Sequence, residues 1–527
     1  MGEPKIKVVE AMDTIKSLNP ATLEVLGSVP NFTAREVAEA VRAARTVQPA
    51  WEGIGFKARR NYMLTVCDMI LKNIDELAEL ISKENGKPLV EAIGSDIMPV
   101  MDLITYFAKN AEKLLKKEKI KLGKWNFLGR SSHLEFYPLG VVGVIAPWNF
   151  PFSIPVGEVV MALIVGNTVV LKPSEYTPLI GQKIKELFVA AKLPQDVFRL
   201  VTGDGQAGAA LVKAGTNKIA FTGSVSTGKK IMAACAETLT PVTLELGGKD
   251  PLLVFKDANL DVASSAAVWG AFCNSGQVCA SIERVYVEES IKDQFTDLVV
   301  AKTKKLRQGI AQAFDIDVGP MTAEMQLRKV ELQVEDAKKR GAQILTGGER
   351  NAALKGYFFK PTVLIGVDHS FAIVKEETFG PVLPIMTFKS EDEAVKLAND
   401  SEYALNAYVW SGNANKASRV ASRLVAGTVN INESLFTHAL PQTPWGGPKL
   451  SGIGRTHGIH GLMELVQVRH VHINRNLAKK NFFWWYGYSE DKFVMLKNLT
   501  TVLFGKGTVR LKAFIKFVKM SLKAKVD

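Results

Sequence analysis

Short apolar runs alternate with amphipathic stretches through the middle of the chain. VVGVIA follows Gly140 and TVVLK follows Asn167, and shorter runs fill residues 197–201 and 218–222. Consecutive apolar positions predict strands covered on both faces. Between them, residues 156–165, 177–191, 207–214 and 228–236 read as helices. Strand and helix in turn, with short connections, predict a parallel doubly wound sheet. The run LELGG after Thr243 ends this region on a glycine pair, which reads as a hinge. A second alternation fills residues 251–429, with strands at PLLVF after Asp250, at 284–287, 359–365, 382–388 and 407–410. Residues 31–118 have helical spacing instead, at Val37, Val41 and Ala44, then Leu64, Ile70, Leu77 and Ile81. Thr33 and Glu36 have capping-box spacing at its start. In the stretch 133–137 polar and apolar positions alternate, as in a half-covered strand.

Length and composition narrow this picture. A chain of 527 residues, 47% hydrophobic and 23% charged, suits a folded protein of two or three domains. Four cysteines in that length do not make a disulfide framework, and none lies in a zinc-ligand cluster, so no metal is expected. The opening MGEPKIKVVEAMD lacks the apolar run of a signal peptide, and a cytoplasmic location is expected. The net charge of +13 is uneven: residues 475–527 carry twelve Lys/Arg and three Asp/Glu, a net +9, which leaves +4 for the remainder.

The stretch AFCNSGQVCASIER, residues 271–284, holds two of the cysteines. Cys279 follows a polar turn, Asn274 to Gln277, that can lift a thiol out of a core. Cys273 sits in an apolar run and reads as packing, as do Cys67 and Cys235 on helices. Two glycine loops invite a phosphate. Gly203, Gly205 and Gly208 fit G-x-G-x-x-G, but no acidic ribose ligand follows at the required distance. Gly223 to Lys230 comes within one residue of a P-loop, but Lys230 stands where the magnesium-binding hydroxyl is needed. A P-loop NTPase is thus an alternative. The glycines, hydroxyls and helix N-terminus at Gly223 and Ser224 still favour a dinucleotide phosphate.

Seven motifs then occur in order: Pro147-Trp148-Asn149-Phe150-Pro151, Lys172-Pro173-Ser174-Glu175, Phe221-Thr222-Gly223-Ser224, Leu244-Glu245-Leu246-Gly247-Gly248-Lys249, Gly276-Gln277-Val278-Cys279, Glu377-Thr378-Phe379-Gly380-Pro381, and Gly446-Gly447-Pro448-Lys449 running on to Arg455. Together, over about residues 15–472, they resemble the aldehyde dehydrogenase superfamily. The resemblance implies NAD(P)-dependent oxidation of an aldehyde to its acid through a thioester. On it, Cys279 is the nucleophile, Asn149 and the Cys279 N–H are the oxyanion donors, and Glu245 is the base that activates water. Lys172 and Glu175 match the adenosine-ribose ligands, Glu377 the nicotinamide-ribose ligand, and Phe379 a ring beside the nicotinamide. Trp148, Gly223, Ser224 and Leu246 fall at the same cofactor. A carboxylate at Glu175 would repel a 2′-phosphate, which favours NAD, although some relatives use both cofactors. CoA-acylating relatives tend to lack a glutamate at position 245, so hydrolysis is the better reading. CoA acylation, and a crystallin-like homologue without activity, are the remaining alternatives.

The fold implied is α/β: a Rossmann-like doubly wound cofactor domain (1–118 and 139–246), an α/β catalytic domain (247–461) and a small β bridging element (119–138 and 462–474). The bridging element implies a homodimer or a dimer of dimers. Residues 475–527 form a basic aromatic tail beyond the usual end of the family. It holds the cluster NFFWWYGY, residues 481–488, and then a helical pattern. Leu511, Phe514, Ile515, Val518 and Leu522 share one face, and Lys512, Lys516, Lys519 and Lys523 another. A helix over 509–523 is about 22 Å long, short of the roughly 30 Å of a bilayer core. Each buried lysine would cost about 3 kcal/mol. The pattern predicts a segment, 481–525, that lies on the inner face of a membrane without crossing it. Such a seat suits medium- or long-chain or otherwise apolar aldehydes. No nucleic acid is expected, because the body has no basic groove.

Overall fold

A computed structural model describes residues 13–475 and 484–523. Residues 481–483 of the aromatic cluster, Lys525 and the first twelve residues lie outside the described residues. The fold is α/β, and it divides into two units. One holds residues up to 114 and 137–467, and the other residues 115–136 and 468 onward.

In the first unit, strands Thr14–Leu18 and Val25–Pro30 form a hairpin ahead of the helices Ala34–Gly53, Gly55–Lys72, Ile74–Asn85 and Met98–Leu114. The expected capping box starts the first helix: Glu36 N donates to Thr33 Oγ1 (3.3 Å) and Thr33 N to Glu36 Oε2 (2.8 Å).

A six-stranded sheet follows, in the order Gly452–Ile453, Val242–Glu245, Lys218–Thr222, Val141–Ile145, Thr168–Lys172, Phe198–Leu200. All its pairings are parallel except that of Gly452–Ile453. Strands Val141–Ile145 and Thr168–Lys172 are buried at every position, as their unbroken apolar runs require. The chain steps outward from Val141–Ile145 in one direction and then returns to build in the other. That reversal opens a crevice at the carboxyl ends of Val141–Ile145 and Lys218–Thr222, where open α/β sheets bind ligands.

A seven-stranded sheet packs apolar helices on both faces. Its order is Gln343–Thr346, Thr362–Ile365, Val382–Phe388, Ile282–Glu288, Asp250–Val254, Asn406–Trp410, Thr428–Ile431. Only the first strand is antiparallel to its neighbour.

Two features depart from the division read from sequence. Gly452–Ile453 lies in the segment assigned to the catalytic domain, yet it pairs with Val242–Glu245 and so completes the cofactor sheet. A two-residue edge strand has too little pattern to be seen in sequence. The bridging element and the tail, read as separate, fold as one unit. There, strands Val466–Asn474, Arg130–Pro138 and Glu118–Ile120 form a sheet in that order, and helices Glu490–Phe504 and Gly507–Lys523 form a hairpin. Arg130 lies 4.8 Å from the Trp484 ring, and Lys124 lies 4.3 Å from the Phe504 ring. These cation–π contacts link sheet and tail.

Candidate active site

The turn before Cys279 is held in a conformation that most sequences avoid. Asn274 (φ 50°), Ser275 (φ 56°) and Gly276 (φ 73°) are left-handed in succession. Two non-glycine residues there are strained unless the surroundings impose the geometry, and here they do. Asn274 N donates to Glu91 Oε2 (2.8 Å), and Asn274 Nδ2 to the Asn149 carbonyl (2.8 Å). Ser275 Oγ donates to Gly319 O (2.8 Å), and Gln277 Oε1 accepts from Thr322 N (2.9 Å). Gly276 tolerates no side chain, since a Cβ would stand 2.2 Å from Gly380 O. The turn delivers Cys279 to a cleft of about 550 Å³. Of the four cysteines, Cys67, Cys235 and Cys273 are buried and Cys279 alone is partly accessible. Burial pushes its thiol above the ordinary range, and the carboxylates of Asp250, Glu245 and Glu377 add to the shift.

Asn149 and Glu245 come to the same place from the first sheet. Asn149 follows Val141–Ile145, is buried, and donates from Nδ2 to Gln277 O (3.1 Å). That leaves its second N–H for another acceptor. Glu245 ends Val242–Glu245, is buried, and has no hydrogen-bond partner on either carboxylate oxygen among the described residues. Gly446 makes room for it, because a Cβ there would lie 2.5 Å from Glu245 Oε1. Burial, with Glu158 nearby, raises the Glu245 carboxyl well above its usual range, and Arg455 opposes this. A buried carboxylate without partners is costly for stability and is a mark of function. Glu245 stands behind the cleft wall and not on it.

The remaining predicted residues line the cleft: Trp148, Lys172, Glu175, Gly223, Ser224, Leu246, Glu377 and Phe379. Lys172 Nζ pairs with Glu175 Oε2 at 2.9 Å. Ser224 caps helix Val225–Ala236, accepting from Thr227 N (3.3 Å), so the helix N-terminus faces the cleft. Gly248 N donates to Glu377 Oε1 (3.0 Å). Burial first and Glu283 second lift the Glu377 carboxyl to about 7. Trp148 and Phe379 meet edge to face, 5.4 Å apart. A cleft lined by a helix N-terminus and by carboxylates at Glu175 and Glu377 fits a dinucleotide.

Several supporting residues escaped the sequence reading. Gly205 and Gly208, set aside as a phosphate loop, line the cleft with Val212 and Ile231 as an apolar wall. Buried Glu283 accepts from Lys249 Nζ (2.6 Å), Thr378 N (2.7 Å) and Phe379 N (2.8 Å), which fixes the Glu377 loop. Buried Lys87 donates to Asp96 Oδ2 (2.5 Å) and to the Asn149 carbonyl (2.9 Å). Asp96, on the π-helical segment Ala92–Ile97, also accepts from Ser153 N (2.7 Å). Lys87 is 62 residues from Asn149 and Asp96 is 57 from Ser153, and only tertiary structure joins them. Lys87→Met leaves Asp96 buried and uncompensated, so we expect a loss of about 3 kcal/mol or more, read from urea unfolding. Lys87→Met with Asp96→Leu should recover much of it.

Two sheets that deliver a thiol and a carboxamide to a dinucleotide-sized cleft, with an unpartnered carboxylate behind its wall, define a class of cofactor-dependent thiol enzyme. The aldehyde dehydrogenase family model matches residues 8–471, and the chain belongs to this family of oxidoreductases. A 4,4'-diapolycopene aldehyde oxidase from Methylomonas sp is 37% identical over 94% of this chain and 93% of that protein. A betaine aldehyde dehydrogenase from Bacillus subtilis is 37% identical over 88% of this chain and 95% of that protein. An NAD+ complex of aldehyde dehydrogenase from Bacillus cereus superposes with a TM-score of 0.84 at 37% identity, covering 88% of this chain and 94% of that one.

Proposed function

We propose that this enzyme oxidises an apolar aldehyde to its carboxylic acid, with Cys279 as nucleophile and Glu245 as the base that releases the product. The observation that carries this is that the one partly accessible cysteine occurs with a buried carboxylate that has no hydrogen-bond partner among the described residues. The cofactor is NAD(P), which Lys172, Glu175, Gly223, Ser224, Leu246 and Glu377 would hold, with Trp148 and Phe379 on the same cleft wall. When bound, it accepts a hydride from the substrate carbon. Glu175 on the ribose side favours NAD over NADP. The partly accessible Cys279 thiol releases its proton to solvent water and adds to the aldehyde carbonyl as a thiolate, and the free N–H of Asn149 Nδ2 stabilises the oxyanion. Glu245 then takes a proton from the water that attacks the Cys279 thioester.

The surroundings of Cys279 support the substrate class. Cys279 packs against a buried cluster of Phe150, Val278, Ala280, Leu405 and Trp445, which Ile154 and Leu435 also flank. His438 lies 4.7 Å from Trp445, and His457 lies 5.4 Å from His438. Burial lowers these imidazoles to about 4 and about 3, so both are neutral at pH 7. An uncharged aromatic wall offers a carboxylate no partner, while its apolar faces accept a hydrocarbon chain. The Methylomonas relative points the same way: to cover 94% of 527 residues, its alignment must run past residue 490, into the tail. That relative is named for an aldehyde of an apolar polyene.

Straight-chain aldehydes of rising length test this. We expect kcat/KM to rise about fourfold per added methylene until the pocket is full, from about 0.8 kcal/mol per buried CH₂. Equal or faster oxidation of betaine aldehyde or succinate semialdehyde would defeat the substrate assignment. For assembly we propose a homodimer or dimer of dimers through strand Val466–Asn474, which lies at the edge of its three-stranded sheet, and a peripheral membrane seat for the tail.

A further inference from the structure

Helix Gly507–Lys523 has three faces, and the hairpin uses one. Ala513 is buried, Phe517 and Met520 are half-buried, and Met520 Sδ lies 3.9 Å from Asn498 Nδ2 of the other helix. The second face carries Lys512, Lys516 and Lys519, all exposed. The third carries Leu511, Phe514, Ile515, Val518 and Leu522, at the spacing of a single stripe. These five are 37–61% exposed, so the apolar stripe legible in sequence is not the one that packs.

Three kinds of occupant could cover such a stripe. Nucleic acid would satisfy the lysines but leave five large apolar side chains in water. A second copy of the stripe would cover the apolar surface but bring two lysine rows together. From Lys492 to Lys523 there is no aspartate or glutamate to offset them. An anionic lipid surface meets both requirements, with acyl chains for the stripe and phosphates for the lysines. The helix has 17 residues, about 25 Å, and no helix among the described residues is long and apolar enough to cross a membrane. Exposed Trp485, Tyr486 and Tyr488, just ahead of the hairpin, are side chains suited to the interfacial layer.

We propose that the Leu511–Phe514–Ile515–Val518–Leu522 face docks in the plane of an anionic bilayer, with Lys512, Lys516 and Lys519 at the lipid phosphates. This rests on the peripheral reading of the tail above, and it names the face and the lipid charge.

The full chain is sedimented with vesicles of phosphatidylcholine, alone or with about a third phosphatidylglycerol. Oxidation of a short water-soluble aldehyde is followed in the same samples. Binding should require the anionic lipid and weaken as salt rises. Phe514→Asp with Val518→Asp should cut binding more than tenfold. Lys512→Glu, Lys516→Glu and Lys519→Glu should each cut it about fivefold. All four variants should leave turnover of the short aldehyde unchanged, which separates this proposal from the catalytic one. The proposal is overturned if the parent chain ignores anionic vesicles, or if the double aspartate variant binds as the parent does. It is equally overturned if that variant instead dissociates the subunits while the parent binds no lipid.

Discussion

Replacing Cys279 by serine should abolish aldehyde oxidation while leaving the cofactor cleft intact. We expect kcat to fall by at least about 10⁴-fold, the scale seen when a covalent nucleophile is removed, with dinucleotide affinity unchanged in a fluorescence titration. The hydroxyl is smaller than the thiol and far less acidic, and nothing around it compensates. Three carboxylates, Asp250, Glu245 and Glu377, raise even the thiol above its ordinary range, with burial the larger cause. The resting thiol is therefore protonated at pH 7. Alkylation of Cys279 by iodoacetamide should speed up about tenfold per pH unit above neutrality, because only the thiolate reacts. A rate flat across neutral pH would show a thiolate already formed and contradict this account of the site. Cys273→Ser is the control. That thiol is buried beside Glu91, and its loss should cost stability and not turnover.

The alternation of apolar runs was enough to show two sheets, because strands covered on both faces leave a clear pattern, but Val242–Glu245, in the run read as a hinge, and Gln343–Thr346 and Thr428–Ile431 are strands the pattern did not give. Lys218–Thr222 and Val382–Phe388 fall where the sequence puts them. Elements whose partners are distant or whose pattern is short were not legible. The hairpin Thr14–Leu18 with Val25–Pro30 has mixed burial and no apolar run. Helix Glu490–Phe504 was missed although it carries a start signal: Ser489 Oγ accepts from Lys492 N (3.3 Å), with Glu490 and Asp491 in the first turn. The dense aromatics before it masked that cap. At the site, the cleft residues we assign to the cofactor lie in motifs, whereas those that hold the motifs in place do not. Lys87, Asp96 and Glu283 look like solvated charges until burial and partners are known. The tail shows the reverse error: its apolar stripe was read correctly, but a stripe does not say which neighbour covers it.

Glu245→Gln should separate the two halves of the reaction. Acylation does not need the carboxylate as a water base, so a first turnover of NADH should still appear in rapid mixing. Steady-state turnover should fall by about 10²–10⁴-fold, because the thioester waits for an activated water. Loss of the burst together with turnover would instead assign Glu245 to formation of the Cys279 thiolate. The same variant carries a stability prediction of opposite sign. Burial and Glu158 raise the Glu245 carboxyl, so the folded state holds its proton more tightly than the unfolded chain. Such a group contributes nothing adverse below its unfolded value near about 4.3, and it destabilises the fold progressively as pH rises through the folded value. Glu245→Gln should therefore match the parent in urea unfolding at acid pH and exceed it increasingly toward neutrality. Glu158, itself raised to about 7 by burial against the pull of Lys218, adds to the shift of Glu245. Glu158→Gln should then move the pH–rate profile of the deacylation-limited enzyme toward lower pH, since Glu245 would lose its proton more readily. A profile that stayed in place would mean that burial alone sets the base.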